Sequence, residues 1–226
     1  MKKVLDLEDF NERAKDVSDY LHFLRDLEQG QILFSKDGGI SKIDSELDKS
    51  LKSTGFLLLY NLIESTMRNA IQSIFDEISN KGVSFDKLRL EIKKIILKNV
   101  KNNVHQCGVD NFVEQTEIIF RDIIQSGFNR DDLFSGNVDA REIKIIAQVY
   151  GFSVITDKDT RDGIDLLSIK KNRNDLAHGV MSFKEVGQNI SAENLVEISE
   201  RVIKYLRQIL ENIHEYLVNQ QYLDSK

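Results

Sequence analysis

The stretch Phe56-Leu57-Leu58-Leu59-Tyr60-Asn61-Leu62-Ile63 decides the fold class. It is apolar almost all the way round a helical wheel, whereas a surface helix shows a single apolar stripe. Leu51 before it and Ile71, Ile74 and Ile78 after it continue the helical spacing that Leu58 and Leu62 carry within it. The pattern predicts one long helix over about residues 45–79, interrupted only by Gly55 and followed by Gly82. A helix with apolar residues on every side belongs at the centre of a bundle.

Helical periodicity continues outward from that centre. Residues 7–28 carry Phe10, Ala14, Val17, Leu21, Leu24 and Leu27 on one stripe, and Asp37-Gly38-Gly39 is a turn signal. Residues 86–99, 111–125 and 139–150 read as three shorter helices, with a turn-rich stretch at 127–137. Residues 151–159 form a polar loop with a short β-rich piece at 152–156. A further helix is expected over 162–177, closed by Gly179 as a left-handed cap. Ser191, with Asn194 close behind, starts a last helix that Leu195, Ile198, Val202, Tyr205, Leu206, Ile209, Ile213 and Leu217 carry to about residue 219. The chain has no proline, where average usage would give roughly eleven, so nothing forces these helices to break. The expected class is an all-α helical bundle with a long central helix.

Charge and cysteine content bound the chemistry. The formal net charge is −6, against the basic balance of a general nucleic-acid coat, although one local basic cleft remains compatible with it. Residues 166–179 hold Lys170, Lys171 and Arg173 against Asp175. Residues 86–101 hold Lys87, Arg89, Lys93, Lys94, Lys98 and Lys101, a run that reads first as a solvated face. Cys107 is the sole cysteine, which excludes an intrachain disulfide and a thiolate-rich zinc site and suits a reducing cytoplasm. The first 28 residues are charged throughout, unlike a signal peptide, and the longest apolar run, 56–60, is too short to span a bilayer. A soluble cytoplasmic protein without membrane contact is expected.

Chemistry is concentrated in Lys170-Lys171-Asn172-Arg173-Asn174-Asp175-Leu176-Ala177-His178-Gly179. An arginine forks onto two phosphate oxygens and keeps its proton, while a histidine titrates near neutrality and serves as base or acid. Together they are a minimal kit for attacking a phosphodiester. Cleaving RNA without a metal needs a base for the 2′-hydroxyl, cationic stabilisation of the phosphorane and an acid for the leaving oxygen. Residues five apart sit about 140° apart around a helix, so Arg173 and His178 do not share a face, whereas Asn174 and His178 do. Either the arginine curls round the helix end or the site is composite, with a second copy across a two-fold axis; the composite doubles the kit and is the favoured arrangement. Arg207 and His214 form a second match within the last helix, but without the polar neighbour, the Leu176-Ala177 pair or the glycine stop, and they read as a structural face. His22 and His105 lack ligand-spaced partners, and Asp131-Asp132 reads as a solvated loop pair. No phosphate-binding glycine loop, nucleophile elbow or metal-spaced histidine pair occurs.

The run from Arg173 to Gly179, followed by a short loop and a long amphipathic helix, resembles the signature of the HEPN superfamily (higher eukaryotes and prokaryotes nucleotide-binding domains). Leu58-Leu59-Tyr60-Asn61-Leu62-Ile63-Glu64-Ser65-Thr66 and the loop Met181-Ser182-Phe183-Lys184-Glu185-Val186-Gly187 resemble its restriction- and defence-associated branch. The resemblance implies a single domain over residues 1–226, with an HEPN-like helical core at about 1–80 and 160–220 and inserted helices at about 82–159. It implies a metal-independent endoribonuclease with no cofactor, a homodimer whose motifs meet at the interface, and a role as a toxin or in anti-phage defence. An antitoxin or defence-system partner is left open as a further partner. Arg173 and His178 carry over as catalytic residues with Asn174 as the motif's polar position, and Glu64 and Asn61 as supporting residues, although for Glu64 a bond to Arg68 is an equal alternative. Lys170 and Lys171 stand as RNA-binding candidates. Members modified by nucleotidylation carry a tyrosine two positions beyond the histidine; here that position is Val180, which speaks against this control. Two other readings stay open: a non-catalytic helical module that dimerises or binds RNA or nucleotide, and a purely structural bundle.

Overall fold

The computed structural model describes residues 7–36, 39–105, 123–126, 134 and 136–224. Helix α1 (Glu8–Glu28) is followed by a small antiparallel pair, β1 (Phe34–Lys36) and β2 (Gly39–Ser41). Then come α2 (Ser45–Asn80), α3 (Leu90–His105), a single turn α4 (Ile123–Ser126), α5 (Ala140–Tyr150), α6 (Asp165–Ala177), the short α7 (Phe183–Gly187) and α8 (Ala192–Val218). The bundle is all-α apart from that hairpin among the described residues.

The long helix α2 is the axis, and its burial is what its composition dictates. Phe56, Leu59, Tyr60, Leu62, Ile63 and Met67 are closed off from solvent on one broad face, while Leu57 and Leu58 are half-buried and Asn61 is exposed, so the helix is buried widely but not on every side. Asp44 caps its start, accepting from the N–H groups of Glu46 (3.0 Å) and Leu47 (3.1 Å). Gly55 lies inside it because Leu21 of α1 comes within 2.9 Å of where a Cβ would stand. Against this axis pack α1, α6, α7 and α8. The buried stripe of α1 is Phe10, Ala14, Val17, Leu21, Leu24 and Leu27, as the periodicity predicts. Lys52 ties three helices together: it donates to Glu28 (2.8 Å) and pairs with Asp48 (3.0 Å), while Glu28 also accepts from the N–H of Ala192 (2.7 Å) at the start of α8.

Residues beyond α2 join the same core. Leu88, Ile92 and Ile96 from the α3 region and Ile143, Ala147 and Tyr150 from α5 are buried in it. The Tyr150 ring meets Phe75 of α2 edge-on at 6.2 Å. No helix among the described residues is long and apolar enough to cross a membrane.

Four expectations are corrected. The helix expected from residue 86 begins at Leu90 and continues to His105, because the preceding residues pair with the end of the chain: Arg89 N–H donates to Tyr222 and Asp224 N–H to Lys87. Extended Leu88 bridges Leu223 there, and a backbone engaged sideways cannot enter a helix. No strand is expected around residues 34–41, yet β1 and β2 pair there, with Phe34 opposite Ser41. Residues 152–156 form no strand; α8 side chains satisfy that loop, with Asn212 donating to Ile155 O (2.9 Å) and Gln208 accepting from Asp157 N–H (2.8 Å). Helix α6 starts at Asp165 rather than 162, because Arg161, Asp162 and Gly163 all have positive φ and no helix passes through them. A Cβ at Gly163 would lie 2.8 Å from the Tyr205 ring. Of the helix expected at 111–125, only 123–125 are described, and they are helical; the rest of it, most of the turn-rich stretch at 127–137, Asp131-Asp132, Cys107 and the His105 side chain lie outside the described residues.

Candidate functional site at the end of helix α6

Helix α6 divides the motif between two environments. Leu166, Ile169 and Leu176 are buried on the face toward α2, and Arg173 falls on that same stripe. Its side chain therefore runs inward, until the guanidinium carbon lies 4.4 Å from the centre of the Tyr60 ring. Tyr60 is 0 % exposed. Arg173 Nη1 donates to the Gly136 carbonyl (3.3 Å) and to Asn174 Oδ1 (2.9 Å). Those two acceptors use both Nη1 hydrogens, and among the described residues nothing bonds Nε or Nη2. That remaining edge is the one with which a guanidinium grips two oxygens of a phosphate side-on.

His178 stands at the other environment. The helix ends there in a paired cap: Val180 N–H reaches Asp175 O (2.9 Å) and Gly179 N–H reaches Leu176 O (3.2 Å), with Gly179 at φ +66° as its sequence position requires. The cap leaves His178 exposed, and no described residue bonds its imidazole. Within the one chain, then, Arg173 points inward and His178 outward, as the 140° separation requires.

A strap formed by Phe134 and residues 136–139 holds the arginine side of the site. Asn174 donates to Asn137 Oδ1 (3.1 Å), Val138 N–H donates to the Tyr60 hydroxyl (3.2 Å), and Lys170 is ion-paired with Asp139. Arg68 donates to Phe134 O (2.7 Å) and pairs with Glu64 (2.8 Å). Glu64 therefore acts through Arg68 on the strap, the structural alternative that its spacing left open. Burial pushes the Tyr60 phenol up, and neighbouring Glu64 adds to this, while the Val138 N–H and Arg173 pull the other way; the net direction is up, so the group stays a neutral phenol. Lys170 is committed to Asp139, whereas Lys171 is exposed with no bonding partner among the described residues. Asn61 lies away from this cluster and lines an open cavity of about 180 Å³ with Arg13, Asp16 and Val17 of α1. The second Arg/His match is structural on its arginine side: Arg207 packs over the Phe10 ring at 5.2 Å and bonds Asn11. His22 bonds the Ser18 carbonyl of its own helix (2.7 Å).

The family model described as HEPN_MAE_28990-like HEPN matches residues 3–222 of the chain. The chain belongs to this HEPN family. No curated protein and no solved structure gave a significant match. In this HEPN chain Arg173, Asn174 and His178 stand out as candidates from the motif alone, whereas Tyr60, Gly136, Asn137 and Asp139 join them only in the folded structure. Tyr60 and Glu64, four apart on α2, were the available signal for one wall of the site. The strap carries no periodicity and gave none.

Burial opposes ionisation of Asp139, but the Lys170 ammonium and the Glu142 N–H outweigh it, and its carboxyl titrates below the ordinary value. A depressed folded pKa contributes stability that is present at neutral pH and is lost as pH falls below the ordinary carboxylate range, about 4. Urea unfolding at pH 7 and pH 3 is expected to show a smaller acid loss for Asp139→Asn than for the wild type. Equal losses would remove this pair from the strap's energetics.

Proposed function

We propose that this HEPN chain is a metal-independent endoribonuclease, acting in the cytoplasm as a toxin or in anti-phage defence, with its site completed by a second copy of the chain. The observation that carries the reading is the division of labour at α6: an anchored Arg173 with one phosphate-gripping edge to spare, and an unbonded, exposed His178. Two α6 ends facing one another across a two-fold axis put two arginines and two histidines around one cleft. In that cleft an imidazole takes the proton of a 2′-hydroxyl, and the 2′-oxygen attacks the adjacent phosphorus. The Arg173 edge stabilises the charge that develops on the phosphoryl oxygens. The bond from phosphorus to the 5′-oxygen breaks as an imidazolium returns a proton to that oxygen. The products carry a 2′,3′-cyclic phosphate and a 5′-hydroxyl. Asn174 holds Arg173 Nη1, and Lys171 offers a further contact to the RNA backbone. DNA lacks the nucleophile and is spared.

Incubating RNA with the protein in EDTA, followed by analysis of the product ends, tests reaction type and metal independence together. Cyclic phosphate and 5′-hydroxyl ends are expected from the wild type, with Arg173→Ala and His178→Ala inactive. Intact RNA that the protein nonetheless binds would instead make it a non-catalytic RNA-binding module.

A further inference from the structure

We infer that Tyr60 is the positioning residue for Arg173: its buried ring is a fixed floor that turns the guanidinium so that the Nε–Nη2 edge faces outward. The functional consequence rests on the ribonuclease reading above; the geometry does not.

An arginine side chain has several rotatable bonds, and two hydrogen bonds at a single nitrogen of the planar guanidinium hold one corner of it while, among the described residues, nothing polar bonds the opposite edge. The Gly136 carbonyl and Asn174 both hold Nη1 and nothing else. What supports the whole cation from beneath is an aromatic ring 4.4 Å away, whose negative face attracts it. The ring is itself immobile. It is 0 % exposed in the middle of α2, and its hydroxyl accepts from Val138 N–H (3.2 Å). That bond links the floor to the strap bearing the Gly136 carbonyl, so the two anchors of Arg173 belong to one assembly. Gly136 has φ +73°, and its backbone lies against the guanidinium. Tyr60 touches no substrate in this arrangement; it acts only through Arg173.

Three chains test the inference: the wild type, Tyr60→Phe, which keeps the floor and loses the link, and Tyr60→Leu, which loses the floor. The first measurement is the NMR position of the Arg173 side-chain Hε and Hδ signals, assigned by their loss in Arg173→Lys. Stacking on a ring shifts them upfield in the wild type and in Tyr60→Phe, and they return to ordinary positions in Tyr60→Leu. Ordinary positions in the wild type, or no change in a folded Tyr60→Leu, overturn the inference. The second measurement is the single-turnover cleavage rate at saturating RNA. It is expected to fall roughly tenfold in Tyr60→Leu and to stay within about threefold of wild type in Tyr60→Phe, the size of effect a partly desolvated cation–ring contact supports. An equal fall in both variants overturns the inference, because the link rather than the floor would then be responsible. Should the wild type cleave no RNA, the ribonuclease reading fails while the spectra still judge the floor. Should Tyr60→Leu not fold, the signal positions in the wild type and in Tyr60→Phe decide: upfield in both supports the floor, and ordinary in either overturns it.

Discussion

Pairing an Arg173→Ala chain with a His178→Ala chain is expected to restore RNA cleavage that neither variant shows as a homodimer. In the proposed composite site, a homodimer of either variant lacks one of the two functions completely. Loss of the imidazole removes proton transfer, worth about 10²–10⁴-fold, and loss of the guanidinium removes charge stabilisation of comparable size. Both homodimers should therefore lie about 10³-fold below wild type. A heterodimer, by contrast, keeps one arginine from the His178→Ala chain and one histidine from the Arg173→Ala chain. If the two α6 ends share a cleft, those groups meet, and activity about tenfold or more above either homodimer is expected, short of wild type because the second imidazole is missing.

The experiment needs two differently tagged chains made in one cell, so that the heterodimer is isolated rather than inferred. A heterodimer as inactive as its parents would mean that Arg173 and His178 of one chain must serve the same phosphate. That outcome would require Arg173 to leave Tyr60 and swing round the helix end. It would remove the composite site while leaving the reaction type intact. The comparison is sharp because the folded chain separates the two groups: Arg173 shares the inward stripe with Leu166, Ile169 and Leu176, and His178 stands exposed beyond the last turn.

How far the sequence disclosed this arrangement depended on whether the relevant physics was local. The stripe of α1, the long course of α2 and both ends of α8 follow from spacing and capping within each segment, and they were legible, whereas the exposed edge of α2 at Asn61 was not. The cap at Gly179 is equally local, since a chain that leaves a helix by a left-handed residue asks for glycine there. Pairings between distant segments were not legible. Leu88 reads as helix by its neighbours, yet its backbone is claimed by Tyr222–Leu223, near the other end of the sequence. Tyr60 reads as a core filler, which it is, and nothing near it in sequence announces that an arginine of another helix rests on its face. Lys170 reads as a basic contact for RNA, but a carboxylate at the start of α5 holds it. The motif thus revealed which groups could react, while the scaffold that aims them came only from the fold.

Replacing Gly187 with alanine is expected to be among the most destabilising single changes in the protein, although the residue has no side chain that could take part in chemistry. In isolation the change should help, since alanine outranks glycine inside a helix by about 1 kcal/mol. Packing reverses the sign. A Cβ on Gly187 would lie 1.8 Å from the carbonyl oxygen of Lys49 and 2.9 Å from its Cα, and both atoms belong to the backbone of α2. No flexible side chain is available to move aside. The helix α7 must instead lift away, which strains or breaks the bond from the Ser53 hydroxyl to the Phe183 carbonyl and the Lys184–Glu46 pair at 3.0 Å. Overpacking of this kind costs about 3 kcal/mol, the upper part of its usual range, because rigid backbone meets the new methyl. For a domain of this size that corresponds to a fall in Tm of about 6–12 °C. Gly179→Ala is the matched control: its φ of +66° imposes local strain of about 1–2 kcal/mol, but nothing lies within 4 Å of the added methyl. The displacement should also reach the site, because α7 begins only a few residues after His178 and the capping box of Ser182 and Glu185 fixes where the chain turns. Hydrogen exchange should accordingly quicken over residues 179–187 in Gly187→Ala. A Tm equal to or above that of wild type, with unchanged protection in that segment, would show that α2 and α7 do not approach as closely as their backbones require here.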